Sequence, residues 1–376
     1  MQFALRVDYF KACLNALIPA SNQYYQIKAA ARRYQTYIDR GGWSEIPESP
    51  VLRAGDFHLT IPAIRERLAF EDSSPEKRRL VSITSSQYDE NLQQAVKRFQ
   101  RRYSLKADGI IGPATRRAMN ISAAERLQQI KINLERIRWL PDDLGERYIM
   151  VNLANYRLRA IDNNQTKLDM RVIVGKKKRP TPSFASKITH VVLNPHWYVP
   201  HKLARLDLLP KQQANPEYFD DYNFRVFNKE NGKRTTEVDA HSIDWQSLTR
   251  QNFPYSLVQD PGKKNALGRL KFIVPNPWSI YLHDTPAKSL FDKTSRNFSS
   301  GCIRVEDPLA LAKFSLAGNN KHQALLDYIS SNKSYSTKLE QPLSVYTVYS
   351  TVWCDGNELI FSPDSYKRDQ KMVKYL

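Results

Sequence analysis

The spacing of apolar residues changes along this chain from a helical period to an alternating one. In the first third, apolar residues recur every three or four positions, as in the series Leu92, Ala95, Val96 and Phe99, which predicts helices with one apolar face. From Arg147 onward, runs with a period of two are separated by Asn, Asp and Gly, which predicts strands joined by turns. The pattern therefore predicts a multidomain α+β protein whose second part is mainly β.

The helical part is expected to contain several segments. These are a helical scaffold at residues 1–84, a small helical module at 85–121 and a connector helix at 122–146. Two helices are predicted within residues 7–40, and a shorter one at 61–70. Ser122 and Glu125 have the spacing of a capping box, which predicts the start of the connector helix.

The β-rich part is expected to be one domain, residues 147–365, followed by a basic tail at 366–376 that frays. Strands are predicted at 148–153, 156–161, 168–174, 189–193 and 271–274, and a last hairpin within 343–361 is expected to finish the sheet. A polar insertion, residues 201–269, interrupts this domain, with short helices predicted at 202–209 and 242–250. Insertions of such length in compact domains are usually functional lids or disordered segments.

Candidate chemistry lies in the segment that follows this insertion. His283 ends a run of β-forming residues, so it is expected to project from the end of a strand, and Cys302 stands in a Ser-Gly-Cys turn shortly after it. A thiol attacks a carbonyl only as the thiolate, and it therefore needs a base or a positive charge nearby. The spacing predicts Cys302 as a nucleophile and His283 as its base.

The turn itself offers groups that could stabilise a negative oxygen. Gly301 lets the backbone amides of Ser300, Gly301 and Cys302 face inward as an oxyanion hole, and Arg304 adds a positive charge. A lone Cys is more often a small buried hydrophobe, and a lone His is more often a satisfied core residue. The joint pattern reverses that preference in favour of catalysis.

This pattern resembles the catalytic signature of the L,D-transpeptidases (YkuD-type), in which a histidine precedes a Ser/Thr-x-Gly-Cys-x-Asn/Arg turn. The family usually has histidine directly before the glycine, where this chain has Ser300, and Arg304 stands two residues past the cysteine, as in longer Gram-negative members. The stretches Gly175 to Phe184 and Asn194 to Pro200 resemble other parts of the same fold.

The resemblance implies roles for residues around the candidate nucleophile. It implies substrate contacts from Arg304, Ser299, Tyr281 and Trp197. It also implies that residues 201–269 are a capping subdomain and that the enzyme, a cysteine acyltransferase, uses neither a metal nor another cofactor. Carbapenems, to which this family is susceptible, are expected to react with Cys302.

A second resemblance lies in residues 86–120. The order Leu92-x-x-Ala95-Val96-x-x-Phe99-Gln100, then Leu105-x-x-Asp108-Gly109-x-x-Gly112-x-x-Thr115, resembles the small helical peptidoglycan-binding module. A plain helical hairpin would explain the apolar stripe but not the positions of Asp108, Gly109, Gly112 and Thr115. We therefore favour the binding module, with peptidoglycan as its partner.

Composition narrows the partners and the compartment. The formal charge of +19 is dispersed without a nucleic-acid-binding motif, so it indicates an acidic polymer or carboxylate-bearing peptides as partners, and no nucleic acid. No run is long and apolar enough to cross a membrane, and the N-terminus lacks the pattern of a secretory signal.

Whether Cys13 and Cys354 pair is left open, with two free thiols favoured. The resemblance implies a periplasmic location.

The resemblance implies transfer of peptidoglycan stem peptides, which cross-links the cell wall. Cys302 would form a thioester with the third residue of a tetrapeptide stem, release D-alanine and pass the acyl group to the amine of another stem. Two alternatives keep the chemistry and change the acceptor to water, as in a carboxypeptidase, or to a protein. A third alternative is a wall-binding protein without catalysis.

Overall fold

The computed structural model describes residues 19, 21–71, 85–316 and 322–375. The chain separates into two compact units, Met1–Leu144 with Tyr349–Leu376, and Gly145–Val348. The first of the two helices predicted within residues 7–40, together with Cys13, lies outside the described residues.

The helices number as follows in chain order. They are α1 Asn22–Asp39, α2 Ile61–Glu71, α3 Glu90–Arg102, α4 Pro113–Met119, α5 Ala123–Arg138, α6 His201–Leu203, α7 Leu209–Ala214, α8 Tyr218–Asp221, α9 Pro308–Ser315, α10 His322–Ser330 and α11 Arg368–Met372. A π-helical turn, Ala204–Leu208, joins α6 to α7.

The strands are fewer than four residues long only near the candidate site and at the start of the insertion. They are β1 Arg147–Asn152, β2 Arg157–Asp162, β3 Gln165–Gly175, β4 Phe184–Leu193, β5 Trp197–Tyr198, β6 Phe224–Glu230, β7 Lys233–Val238, β8 Tyr255–Gln259, β9 Leu270–Ile273, β10 Leu282–His283, β11 Asn297–Ser299, β12 Ile303–Val305, β13 Tyr335–Val348, β14 Val352–Asp355 and β15 Glu358–Phe361.

The first unit is built on the apolar faces that the sequence predicts. The stripe of α3 is buried with the inner faces of α1 and α2, and α5 begins at the predicted capping box of Ser122 and Glu125. The side chain of Gln100 donates to Asp108 Oδ1 at 3.0 Å, to Ile110 O at 2.9 Å and to Thr115 Oγ1 at 3.2 Å. The buried side-chain amide of Gln100 therefore accounts for the polar residues at positions 108 and 115, since each accepts one of its hydrogen bonds.

Residues 343–348 of the predicted last hairpin do join the larger sheet as part of β13, but two other predictions for the end of the chain are wrong. The hairpin β14–β15 forms its own two-stranded sheet in the first unit, where the ring of Phe361 stacks on that of Tyr103 at 5.1 Å between centroids, and it does not finish the larger sheet. The tail does not fray throughout, because it forms α11 and buries Asp369 in an ion pair with Arg136 at 2.5 Å. Alternation predicts a strand, but it does not say which core the strand joins.

The second unit is organised by a nine-stranded sheet in the order β11-β3-β12-β10-β9-β4-β13-β1-β2. Strand β2 also pairs with β3, so the sheet curls back on itself. Strand β10 is parallel to β12 and antiparallel to β9, and these short strands place the end of β10 in the middle of the sheet. The predicted fold class, multidomain α+β with a mainly-β catalytic part and helical modules, is confirmed.

The insertion has its own core, and its strands β6, β7 and β8 join β5, which precedes the insertion, in a sheet of order β5-β8-β6-β7 that was not predicted from the sequence. A helix near 202–209 is confirmed as α6, the π-turn and α7, whereas the helix predicted at 242–250 is wrong. The chain makes two 3-10 turns here, Ala240–Ser242 and Trp245–Ser247, and each begins at an aspartate whose side chain accepts from the backbone: Asp239 from His241 N, and Asp244 from Gln246 N and Ser247 N. The limits predicted for the domains and the capping role of the insertion stay predictions.

Candidate active site

Three neighbouring strands place a row of basic side chains on one face of the sheet. His283 of β10 is opposite Arg304 of β12 and opposite Lys271 of β9. Residues in register project to the same face of a sheet, so the three side chains lie side by side. Their neighbours along the strands face the other way; Leu282 and Ile303, for example, are fully buried in the core.

His283 is held in one orientation by the residue that follows it. Its Nδ1 lies 2.5 Å from the backbone oxygen of Asp284, and because a carbonyl oxygen only accepts, Nδ1 carries the proton and Nε2 is left as an acceptor. The carboxylate of Asp284 accepts from Arg269 N at 2.8 Å and from Lys288 Nζ at 2.7 Å. A side chain at Gly268 would come within 2.3 Å of that carboxylate, so glycine is required there.

The turn that carries Cys302 is closed by internal hydrogen bonds. Ser299 Oγ donates to the backbone oxygen of Cys302 at 2.5 Å and accepts from Gly301 N at 3.1 Å. Thr181 Oγ1 donates to Gly301 O at 2.7 Å. Gly301 has φ +127°, a conformation that favours glycine, and a Cβ there would lie 3.2 Å from Ile280 Cδ1.

These contacts change two of the predicted roles. Ser299 is only 2% exposed, and its hydroxyl is used inside the turn, so its position supports bracing of the turn and not the predicted substrate contact. The Gly301 amide is also engaged, whereas in the described part of the chain the amides of Ser300 and Cys302 have no protein acceptor. The backbone amides of Ser300 and Cys302 therefore stay predicted donors of an oxyanion hole. The Gly301 amide donates to Ser299 Oγ in this structure and is not free to donate to a substrate oxygen.

Tyr281 lies next to the thiol, and Trp197 lies next to Tyr281. The backbone amide and the hydroxyl of Tyr281 both hydrogen-bond to Cys302, and the side chain of Trp197 hydrogen-bonds to that hydroxyl. The Cys302 Sγ also lies 3.8 Å from the backbone oxygen of Ser279. Trp197 packs against the core of the insertion, so it links the insertion to the site, while contact of either aromatic residue with substrate stays a prediction.

Burial and charge set the protonation state of the pair. Burial raises the pKa of the Cys302 thiol, and the hydrogen bonds from Tyr281 and the charges of Lys271 and Arg304 only partly oppose it. Burial, helped by the charge of Arg304, lowers the pKa of His283 to about 3. Cys302 and His283 therefore rest as a neutral thiol and a neutral imidazole, and Nε2 of His283 can still accept a proton.

Two basic residues of this site, Arg179 and Lys271, were not predicted to have a role in it. Arg179 Nη1 donates to Ser300 Oγ at 3.0 Å, and the same guanidinium forms an ion pair with Asp207 of the π-turn, so Arg179 ties the turn of Cys302 to the insertion. The segment that contains Arg179 was noted for its resemblance to a stretch of the transpeptidase fold. For Lys271 the only signal was the alternation with Phe272, which indicates a strand. The position of Lys271 opposite His283 depends on strand register, which the pattern does not give.

Among the residues that the structure describes, one group of side chains has the spacing of metal ligands. Glu217, Asp220 and His241 bring ligand atoms within 4.8 Å of one another in the insertion. All three are exposed, and exposed acidic groups are common without an ion, so the group carries no argument for a metal.

The chain matches known families in two regions. Residues 146–322 match the YkuD model, described as "L,D-transpeptidase catalytic domain", and residues 66–119 match a model described as "Putative peptidoglycan binding domain". The chain is 36% identical over 250 residues to a curated protein of Haemophilus influenzae named "Putative L,D-transpeptidase", with 65% of this chain and 49% of that protein covered. The chain therefore spans about half the length of this relative.

Solved L,D-transpeptidase structures are also similar to this chain, at low identity. One from Stackebrandtia nassauensis is 12% identical, with 81% of this chain and 97% of that chain covered and a TM-score of 0.28. Another from Xylanimonas cellulosilytica is 13% identical, with 80% of this chain and 100% of that chain covered and a TM-score of 0.25.

In the parts of the chain that the structure describes, every helix is too short or too polar to cross a membrane. The two family matches confirm both resemblances seen in the sequence: the chain carries a YkuD-type L,D-transpeptidase catalytic domain and, ahead of it, a peptidoglycan-binding domain.

Proposed function

We propose that this protein cross-links peptidoglycan by acyl transfer through a thioester on Cys302. The observation that carries the proposal is a thiol on the same face of the sheet as a neutral, oriented histidine, in a turn whose amides at Ser300 and Cys302 have no protein acceptor in the described part of the chain. These are the parts that nucleophilic catalysis on a carbonyl requires: a nucleophile, a base and fixed donors for the negative oxygen.

The first half-reaction forms the acyl-enzyme. Cys302 Sγ attacks the carbonyl of the third residue of a tetrapeptide stem as His283 Nε2 takes the thiol proton, so a carbon–sulfur bond forms and the carbonyl oxygen becomes negative. The amides of Ser300 and Cys302 would donate to that oxygen. When the tetrahedral intermediate collapses, the peptide bond breaks, His283 gives its proton to the leaving amine, and D-alanine departs.

The second half-reaction uses the same groups in reverse. The amine of a diamino acid on another stem attacks the thioester, and His283 takes a proton from that amine. Collapse then breaks the carbon–sulfur bond, forms a new peptide bond and returns the proton to the sulfur of Cys302. One histidine can serve both steps because Nδ1 keeps its proton, donated to the Asp284 carbonyl oxygen, while Nε2 takes up and releases the second proton.

The helical module would concentrate the enzyme on its polymer. Net positive charge favours association with the acidic wall, and the fixed hydrogen bonds of Gln100 support a defined shape for the module between α3 and α4. We place this activity at the cell wall, in the periplasm, with stem peptides and glycan as partners.

The decisive experiment supplies the protein with purified tetrapeptide muropeptides and separates the products by liquid chromatography with mass spectrometry. Cross-linked dimers that lack one D-alanine are expected from the wild type. They should be absent with Cys302→Ala, which removes the sulfur with little loss of volume and should still bind sacculi. Tripeptide without dimers would make the protein a carboxypeptidase, and no product at all would contradict the proposal.

A further inference from the structure

Two positive charges of the site, on Lys271 and Arg304, have no negatively charged partner in the part of the chain that the structure describes. Neither Lys271 nor Arg304 forms an ion pair with a carboxylate of the described residues, and Arg304 Nε is buried without a hydrogen-bond partner. Two carboxylates of nearby segments are already engaged: Asp284, which follows His283, by Lys288, and Glu306, which follows Arg304 by two residues, by Arg171. The unpaired cations are therefore a feature of this face and not a general shortage of acidic residues.

The sheet sets these two cations on either side of His283. Both are opposite or next to it in register, on the face that also carries the thiol. The Lys271 Nζ lies 4.1 Å from the centroid of the Tyr281 ring, and the amide and hydroxyl of that tyrosine hydrogen-bond to Cys302. A group bound between the two cations would thus lie beside the reacting sulfur.

An unpaired, partly desolvated cation costs free energy, and a bound anion relieves that cost. Burial lowers the pKa of Lys271 and that of Arg304, and the thiol is the one nearby group that acts against this effect. In the resting state the thiol is neutral, so it supplies no lasting counter-charge. A ligand carboxylate would fill that role, with charge-assisted hydrogen bonds to both side chains.

We propose that Lys271, together with Arg304, binds the terminal carboxylate of the donor stem and thereby selects donors that end one residue past the scissile bond. The proposal rests on the function proposed above, since the donor is taken to be a tetrapeptide stem. Lys271 is a specificity residue in this account, because it touches the substrate but takes no part in proton transfer.

The reach of the chain favours the terminal carboxylate over other acidic groups of the donor. One residue spans at most ~3.6 Å, so the carboxylate of the leaving residue stays within a few ångströms of the carbonyl that Cys302 attacks. Arg304 lies two residues past Cys302 on the same face of the sheet, and Lys271 Nζ lies 4.1 Å from the centroid of the Tyr281 ring, which adjoins Cys302. A longer stem would place a neutral peptide group there and leave both cations unpaired.

The first test needs no peptide. Cys302 is alkylated by iodoacetate, which carries a carboxylate, and by neutral iodoacetamide, and the modified residue is identified by peptide mapping. The ratio of the two rates cancels any change in thiolate fraction. We expect Lys271→Met to lower the ratio roughly ten-fold or more, Lys271→Arg to restore it, and Lys338→Met, a change at an exposed lysine of the same sheet, to leave it unchanged.

The second test compares a tetrapeptide donor with the same donor amidated at its terminal carboxyl. The wild type should prefer the free carboxylate in kcat/KM by roughly ten- to a hundred-fold, and Lys271→Met should lose most of that preference at an unchanged melting temperature. An unchanged alkylation ratio and an unchanged donor preference in Lys271→Met would overturn the proposal. Failure of both donors with an intact alkylation preference would refute the proposed function and still support the carboxylate site.

Discussion

The low pKa of His283 predicts that catalysis continues well into the acid range. An ordinary histidine has a pKa of about 6.5, whereas burial and Arg304 lower that of His283 to about 3. The base must be neutral to take the thiol proton. At pH 5, about 99% of the imidazole is neutral with a pKa of about 3, against about 3% with a pKa of about 6.5.

The assay follows only the acylation half-reaction, because protonation of the acceptor amine would otherwise contribute its own pH dependence. Release of D-alanine from a tetrapeptide is measured under kcat/KM conditions between pH 4.5 and 8, since that parameter reports ionisations of the free enzyme. We expect the value at pH 5 to stay within about two-fold of that at pH 7 on the acid side. Circular dichroism at each pH provides the control for unfolding.

A different profile would contradict this reasoning. If kcat/KM fell about 25-fold between pH 7 and pH 5, with a midpoint near 6.5, His283 would have to be solvated in the free enzyme. The neutral resting pair derived from burial would then be wrong, although the assignment of His283 as the base could stand.

Two further predictions concern ion pairs in the two units. Asp207→Asn should lower kcat/KM several-fold without changing the melting temperature, because Arg179, which holds Ser300, then loses its ion pair with the π-turn. The side chains of Arg179 and Asp207 are 17% and 34% exposed, which limits the free energy of this ion pair to about 1 kcal/mol. In the first unit, burial alone would raise the pKa of Glu71, but Arg67 and Arg102 lower it from 4.5 to about 2. At 1.36 kcal/mol per pKa unit, Glu71→Gln should cost about 3 kcal/mol of unfolding free energy at pH 7.

Each of these predictions has a matched control. Glu237→Gln breaks an exposed ion pair with Arg225 in the same insertion and should leave kcat/KM unchanged; equal effects of Asp207→Asn and Glu237→Gln would argue against a specific tie to the turn. For Glu71, the depressed pKa gives stability that is complete above pH 4.5 and lost as the pH falls toward 2. The free energy of unfolding in urea is measured by hydrogen exchange of the amides of residues 92–102. Glu71→Gln should lower that free energy less at pH 3 than at pH 7.

The candidate site could be found from the sequence because its key residues lie on one short segment. His283 at a strand end and Cys302 after a glycine are positions that local pattern and turn chemistry define. The same holds for the capping box of α5 and for the polar residues that Gln100 holds in the binding module.

Features that depend on register or on a choice of partner could not be found in this way. The pairing of Lys271 with His283 follows from register between strands that are distant in sequence, and Ser299 braces the turn only because the hydroxyl meets the Cys302 carbonyl. The hairpin β14–β15 has the alternation of a sheet strand, yet Phe361 joins the aromatic core of the first unit.

The claim that Cys302 is the nucleophile is tested most directly with a carbapenem. The thiol should open the strained β-lactam carbonyl as it does a peptide carbonyl, with each oxyanion donor contributing on the order of 3 kcal/mol, and the opened ring stays attached through the sulfur. Intact-protein mass spectrometry should show an increase of one whole drug mass in the wild type and none in Cys302→Ala. An equal increase in both proteins would contradict the account, because the reactive residue would then lie elsewhere.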